Sequence, residues 1–413
     1  MGNLDTKKNK KNMSNGAHDF FIENERKTSV IAAYDVIVVG GGVAGIAAAL
    51  AAKRAGAKVL LLEKSYMVGG LATSGLVTIY LPLCDGKGNQ VSFGLAEELL
   101  RLSVKYGCES IDASVWLNDN GDKNARKSIR FYTQFNANIA ALLFEKLLLD
   151  EGVEIIYGSA VCSVVTENAR VKGVIVENKS GREGYAAKAF VDASGDADIF
   201  KLAGARTEIF KQGNLAASWY YALENNAYRF KPIGSADTPD KYKSHDEKIN
   251  DTRKRYTGLD AWELSELTFF SHGEILKDFI KDGGITAEHA LCTLPTIPQI
   301  RMSRRICGAY ILDDTEFGKR FEDSVGVIAD WRKSGFVYEI PYGVLHGEYE
   351  NLFACGRCVS VTDAAWDITR VIPACAVTGQ AAGTAAAAAC DGEVKVGELQ
   401  SRLVSAGVKL HIL

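Results

Sequence analysis

The stretch that most constrains the fold runs from Asp35 to Lys64 and reads DVIVVGGGVAGIAAALAAKRAGAKVLLLEK. Val36 to Val39 reads as a buried parallel strand. It ends at glycines. Gly40, Gly42 and Gly45 carry the G-x-G-x-x-G spacing of a strand-to-helix turn. Gly40 allows the tight turn, Gly42 lets a pyrophosphate approach the backbone, and Gly45 lets the helix pack close to the sheet. A helix from Val43 to about Gly56 then aims its first N–H groups and positive dipole end at the phosphates, with Val43 and Ala44 at its start. Lys58 to Leu62 is the second strand. Glu63 follows 18 residues after Gly45, near the offset of roughly 20 expected for an acid that holds ribose hydroxyls. Strand, glycines, helix, strand and acid in register point to a dinucleotide site rather than to a plain glycine turn.

The next stretch, EKSYMVGGLATSG, bears on which dinucleotide. Gly69 and Gly70 come soon after Glu63 and Lys64, followed by Leu71, Ala72, Thr73 and Ser74. A glycine-rich loop with small hydroxyl residues can wrap a second length of the same cofactor. Here the chain resembles the FAD-dependent oxidoreductases related to the flavoprotein subunits of fumarate reductase and succinate dehydrogenase. More narrowly, it resembles a bacterial family of FAD-dependent oxidoreductases. The resemblance implies that Glu63 holds the adenosine ribose, with Lys64 beside it. It also implies that the loop from Gly69 to Ser74 packs along pyrophosphate and flavin.

The likeness continues downstream. Gly152 to Ala205 reads as a strand, a β-meander and a final strand ending in Ser194-Gly195-Asp196. In the family the strand near Val161 passes the adenine, and the Asp-Ala-Ser-Gly-Asp segment is a variant of an Ala-Thr-Gly motif. Ile340 to Ala389 resembles the family's closing strand, its Gly356-Arg357 turn and a last FAD-contacting helix with Gly379, Gln380 and Ala382. One departure concerns the turn after the closing strand. Many FAD proteins of this fold have an acid there for the ribityl chain; this chain has Cys355-Gly356-Arg357, which leaves backbone groups or Asp363 as the alternatives. The implied fold is α/β: a Rossmann-like FAD-binding domain with a β-meander, and an inserted α+β substrate (cap) domain. The expected division is a polar tail over 1–32, a discontinuous FAD-binding domain over 33–205 and 341–413, and the cap over 206–340. In the cap, AASWYYALEN reads as a strand and Ala261 to Lys281 as a helix.

Composition sets bounds. With 413 residues the chain can bury two cores. A net charge of −3 gives no basic footprint for nucleic acid. The first residues are lysine-rich without an apolar leader, so the expected location is cytoplasmic. No run of 18 apolar residues predicts a membrane helix. Nine cysteines in that setting read as reduced thiols. Cys355 and Cys358 form C-x-x-C, a possible redox dithiol, but no second pair or histidine cluster at zinc spacing accompanies them, and no metal site is expected. Cys84 follows the flavin loop and reads better as a buried thiol than as a flavin or substrate contact.

A flavin carries the hydride chemistry, and the protein positions substrate and tunes the ring. Pro373 fits the first turn of a helix whose N-terminus would favour negative charge on the reduced ring. Arg304, Arg305 and Arg370 are candidate clamps for a carboxylate or other anion, against the alternative of salt bridging. Tyr342 and His272 are candidate proton donors, although the stretch around His272 reads equally as a helix start. The covalent-flavin relatives carry a linking histidine in the region that here runs from Glu63 to Asp85. This chain has none there, so the FAD is expected to be noncovalent. Three functions compete: a flavoenzyme acting on a small organic substrate, an FAD-containing subunit that passes electrons to a redox partner protein, and a flavin-dependent tRNA-modifying protein. The last lacks a basic stripe. One dinucleotide fingerprint is present, so no separate nicotinamide domain is expected.

Overall fold

The computed structural model describes residues 23–118, 122–281 and 283–412. The expected tail falls mostly on residues 1–22, outside the described residues. Its last residues do not belong to a tail. The first strand is Val30–Val39, and Val30 and Ala32 already register with Gly184 and Tyr185 of the meander. Backbone pairing holds this start, because Val30 and Ile31 themselves are exposed.

Five strands lie parallel in the order Glu154–Ile156, Val59–Leu62, Val30–Val39, Gly181–Asp192 and Leu352–Ala354. The long strand Gly181–Asp192 changes neighbours halfway. Its first half pairs antiparallel with Arg170–Asn178, which pairs in turn with Ala160–Glu167. Its second half takes Leu352–Ala354. The apolar runs demand this arrangement, since Val36, Ile37, Val38, Leu60 and Leu61 are fully or almost fully buried. The register brings the carboxyl ends into line. Val39 stands beside both Leu62 and Asp192, and Ala354 beside Asp192. The four loops that follow these ends therefore emerge together, which is where open α/β sheets bind ligands.

Two helices cover one face. Val43–Arg54 packs lengthwise on the closing helix Ile372–Ala389. Small residues make the close approach possible. A Cβ on Gly379 would run into the Ala44 carbonyl, and one on Gly383 into that of Ala48. The alanine-rich end of the closing helix, residues 381–389, is buried at every position but Ala388. Among the described residues no single helix is long and apolar enough to cross a membrane. The bent pair Asp363–Thr369 and Ile372–Ala389 has the length and composition, but it is almost wholly buried in the protein.

A second layer comes from the middle of the chain. Ser218–Glu224 is the central strand of an antiparallel three-stranded sheet, flanked by Ala227–Ile233 and His289–Thr293. The helix Ala261–Lys281 buries Ile275 against Tyr220 and Ala222 of that central strand. Arg304–Ile306 pairs with Thr207–Ile209; the hairpin of Ser324–Ala329 and Val337–Pro341, although inside the expected cap, packs on the closing helix in the core of the lower layer. Between the sheet and Ile306 the chain crosses back over the aligned loops. Thr296 N donates to Ser74 O at 2.8 Å, Gln299 Nε2 to Gly75 O at 2.6 Å, and Ser303 Oγ to Asp196.

Candidate functional site

The loops at the carboxyl ends interlock through glycines. Gly40 sits at φ +102°, and a Cβ there would strike the Ala193 carbonyl. A Cβ on Gly45 would run into the Gly40 carbonyl oxygen. Gly42 differs: nothing lies within 4 Å of where its Cβ would be. It is the N-cap of Val43–Arg54, so no side chain caps that helix, and the first turn holds no acid. The first N–H groups of the helix thus open onto a space bounded by backbone.

Glu63 is fixed beside this opening. It is 8% exposed. Its Oε2 accepts from Gly41 N at 2.6 Å, and its Oε1 from Ser65 N and Oγ at 2.7 and 2.8 Å. Gly69 N donates to Gly41 O at 2.7 Å, which lays the second glycine loop on the first. Thr73 Oγ1 closes that loop on Val68 O at 2.6 Å, and Ser74 is buried beneath it. From the other side, Gly356 lies against the Ala44 side chain and near Cys375 Sγ, and its N–H donates to Thr378 Oγ1 at 2.9 Å. The guanidinium of Arg357 rests against Gly195. It donates to Ile300 O and lies 3.4 Å from Asp196 Oδ1. Ser194 Oγ donates to Asp192 Oδ1 at 2.6 Å. Lys64 is exposed, and Val161 packs half-buried on the core cluster under this edge.

A dinucleotide fits this cradle. The open space at Gly42 is what a pyrophosphate needs, and the uncapped helix and the fixed carboxylate of Glu63 flank it. Three expected contacts lie elsewhere. Gly379 serves the packing of the two helices, as its contact with Ala44 requires. Gln380 Oε1 accepts from Leu95 N at 2.8 Å and so caps another helix. Ala382 is fully buried. What the closing helix turns toward the Gly356 loop is its start, with N-cap Val371, Pro373 in the first turn and no side-chain cap.

The candidate arginines are committed to other partners. Arg304 pairs with Asp198 at 2.7 Å and donates to Asp196 O. Arg305 lies between Asp363 at 2.6 Å and Glu208 at 2.8 Å, over the Trp366 ring. Asp363 is thereby taken up as well. Arg370 pairs with Asp367 at 2.5 Å, which also holds Arg332 at 2.6 Å. The salt-bridge alternative describes all three. Tyr342 is buried against His346, and burial pushes its phenol well above the usual range. His272 lies inside Ala261–Lys281, not at a helix start, and lines a cleft with Ser218 and Gln299. Cys84 is buried and its Sγ accepts from Phe131 N at 3.1 Å. Cys355 and Cys358 are fully buried. Burial, reinforced by Asp192, pushes both thiols up, which disfavours the thiolate that redox exchange requires. Among the described residues no group of three His, Cys, Asp or Glu could hold a metal ion.

Arg301 stands close to Arg304 and Arg305 in the sequence but is not among the candidate clamps. Arg301 is 6% exposed and lines a cleft with Arg370, Asn214 and Phe210. The only signal was its place in the run RMSRR, where it stands three residues before the first candidate clamp.

Residues 35–407 match the family described as FAD dependent oxidoreductase. Among curated proteins, a thioredoxin reductase of Ureaplasma parvum is 35% identical over 79 residues, 19% of this chain and 26% of that protein. A vinyl phenol reductase of Lactiplantibacillus plantarum is 41% identical over 85 residues, 20% of this chain and 17% of that protein. The chain thus spans about a quarter or less of these relatives' length. Among solved structures, p-nitrophenol 4-monooxygenase from Pseudomonas putida superposes with a TM-score of 0.49 at 12% identity, over 90% of this chain and 84% of the other.

Proposed function

The chain belongs to the FAD-dependent oxidoreductase family, and from that premise we propose that it moves a hydride between noncovalently held FAD and a small organic substrate. That it is an FAD-dependent enzyme follows from the family; the reaction, the substrate and the residue roles are our reading. The single observation that carries it is the open space at Gly42, framed by an uncapped helix start and by Glu63.

The FAD, when bound, supplies the hydride chemistry. The chain's residues do the rest. Gly40, Gly42 and Gly45, with Val43 and Ala44, admit and bind the pyrophosphate. Glu63 accepts from ribose hydroxyls while Gly41 and Ser65 hold its carboxylate in place. Gly69 to Ser74, Ser194 to Asp196, Gly356 and Arg357 enclose the remaining length. The three-stranded sheet around Ser218–Glu224, with the helix Ala261–Lys281, acts as the roof that excludes water and receives the substrate. A tie to the fumarate reductase flavoproteins, a redox partner protein and a cytoplasmic location belong to the same proposal and are narrower than the family match.

The test is spectroscopic. Purified protein should be yellow and release FAD on acid or heat treatment. Anaerobic stopped-flow mixing with NADH or NADPH should bleach the flavin slowly or not at all, since one dinucleotide fingerprint serves the FAD alone. Fast bleaching should need an organic substrate or a redox partner. Reduction by NADPH at typical turnover rates of ~1–1000 per second would sink this reading, as would FMN in place of FAD.

A further inference from the structure

We propose that the outer face of the roof helix Ala261–Lys281 pairs with the same face of a second copy of this chain. The two helices lie antiparallel about a two-fold axis that passes between Phe269 and Gly273. The inference goes beyond the flavoenzyme reading and does not rest on it.

The helix is apolar on two sides. Leu267, Ile275 and Phe279 are buried on one of them. On the other, Trp262 is 80% exposed and Phe269 70%, and Leu276 and Ile280 are exposed as well. A surface helix usually turns polar residues outward, and a contiguous exposed apolar patch marks an interaction site. At 3.6 residues per turn, Trp262, Glu266, Phe269, Gly273, Leu276 and Ile280 form one stripe, with steps of four and three residues in alternation. The spacing is the same from either end, so the stripe can meet its own copy head to tail.

Shape and charge both select that copy. In the antiparallel pair Trp262 faces Ile280 of the partner subunit, and Phe269 faces Gly273 of the partner subunit. The second layer sets a large side chain into a gap. Gly273 stands inside the helix, where glycine is destabilising. Nothing lies within 4 Å of where its Cβ would be, so no neighbour in its own chain requires the glycine. A ring arriving from outside does. Glu263 and Glu266 stand in the first two turns, and Lys277 and Lys281 in the last two. Antiparallel pairing brings these unlike charges together. Parallel pairing would stack Phe269 on Phe269 and Glu266 on Glu266. The acids of the second half are engaged within the chain: Asp278 accepts from the Tyr220 hydroxyl at 2.7 Å, and Glu274 holds Lys277 at 2.6 Å. Glu266 also holds Lys254. Exposed pairs of this kind are weak and can be shared, so the charges set orientation while the apolar stripe supplies affinity. A lipid surface fits worse, because Glu266 stands within the apolar stripe.

A helix pair about 30 Å long buries less than the about 800 Å² per partner of a stable interface, so dissociation in the micromolar range is expected. Analytical ultracentrifugation of the full-length protein as purified, from about 1 to about 200 μM, should show monomer passing to dimer. Phe269→Glu should stay monomeric throughout, with the parent's circular dichroism. Gly273→Phe should also stay monomeric, because it sets ring against ring. Adding Phe269→Gly to it exchanges knob and gap and should restore the dimer. A parent that is monomeric at every concentration overturns the proposal, and pelleting of that monomer with phosphatidylcholine vesicles would assign the face to a membrane instead. A Phe269→Glu protein that dimerises as the parent does overturns it too. A double variant that is folded but monomeric overturns the antiparallel register.

Discussion

The lower layer and the roof solve burial in opposite ways. The lower layer approaches backbone to backbone. Gly45 sits on the Gly40 carbonyl, and Gly379 and Gly383 on those of Ala44 and Ala48. The seam where the roof meets the lower layer buries charge against charge, with Arg305 of the roof between Asp363 and Glu208, and Arg332 of the roof sharing Asp367 with Arg370. The first solution leaves no room for a side chain and sets a shape. The second leaves side chains intact but commits them to each other. The difference teaches where ligand chemistry can be found. In the lower layer it is the glycine that touches nothing, Gly42. On the roof's side the candidate clamps Arg304 and Arg305 are already committed to acids.

The largest break in this comparison should come from Gly45→Ala. Alanine usually stabilises a helix interior over glycine by ~1 kcal/mol. Here its Cβ meets the Gly40 carbonyl, so the variant should instead lose about 4 kcal/mol or fail to fold. Chemical denaturation checks this, and a neutral result would mean that the turn yields. Asp192 sharpens the contrast next, because this acid of the lower layer is fully buried with no cation partner among the described residues. Burial pushes it up to about 6 against its hydrogen bonds from Ser194, Ile199 and Phe200. A carboxyl raised from 3.8 adds stability below its unfolded value and loses it as pH rises through about 6. The fold should therefore gain about 2.5 kcal/mol from this group on going from neutral pH to about pH 4. Asp192→Asn should remove that slope in denaturation curves across the range, and an unchanged slope would assign it elsewhere. The smallest effect is expected from Arg370→Gln. Asp367 keeps Arg332, so the cost should be about 2 kcal/mol, less than the ~3–5 of a wholly orphaned buried partner. A loss as large as that of Gly45→Ala would mean the two layers do not differ as described.

The same contrast explains what could be read from the sequence. Gly40, Gly45, Glu63, Gly69 and Gly356 were legible because close approach and tight turns demand particular residues at particular spacings, and local spacing survives folding. The helix Ala261–Lys281 and the strand Ser218–Glu224 were legible from their length and patterning. Gly379 was seen, but its purpose was not. A glycine that lets a cofactor approach and one that lets a helix approach look alike until the neighbour is known. The arginines failed for a related reason. Whether Arg304, Arg305 and Arg370 are free depends on Asp198, Glu208, Asp363 and Asp367, and the first two lie about a hundred residues away.

The claim at the centre of this account is that the space at Gly42 receives the cofactor, and Gly42→Val tests it most directly. The new side chain meets no protein atom near its Cβ, so the variant should match the parent stripped of its FAD in circular dichroism and denaturation midpoint. It should nevertheless purify with little or no FAD, because the valine occupies the space that the pyrophosphate needs. A folded Gly42→Val protein with the parent's ratio of flavin to protein absorbance would contradict the account and put the cofactor elsewhere.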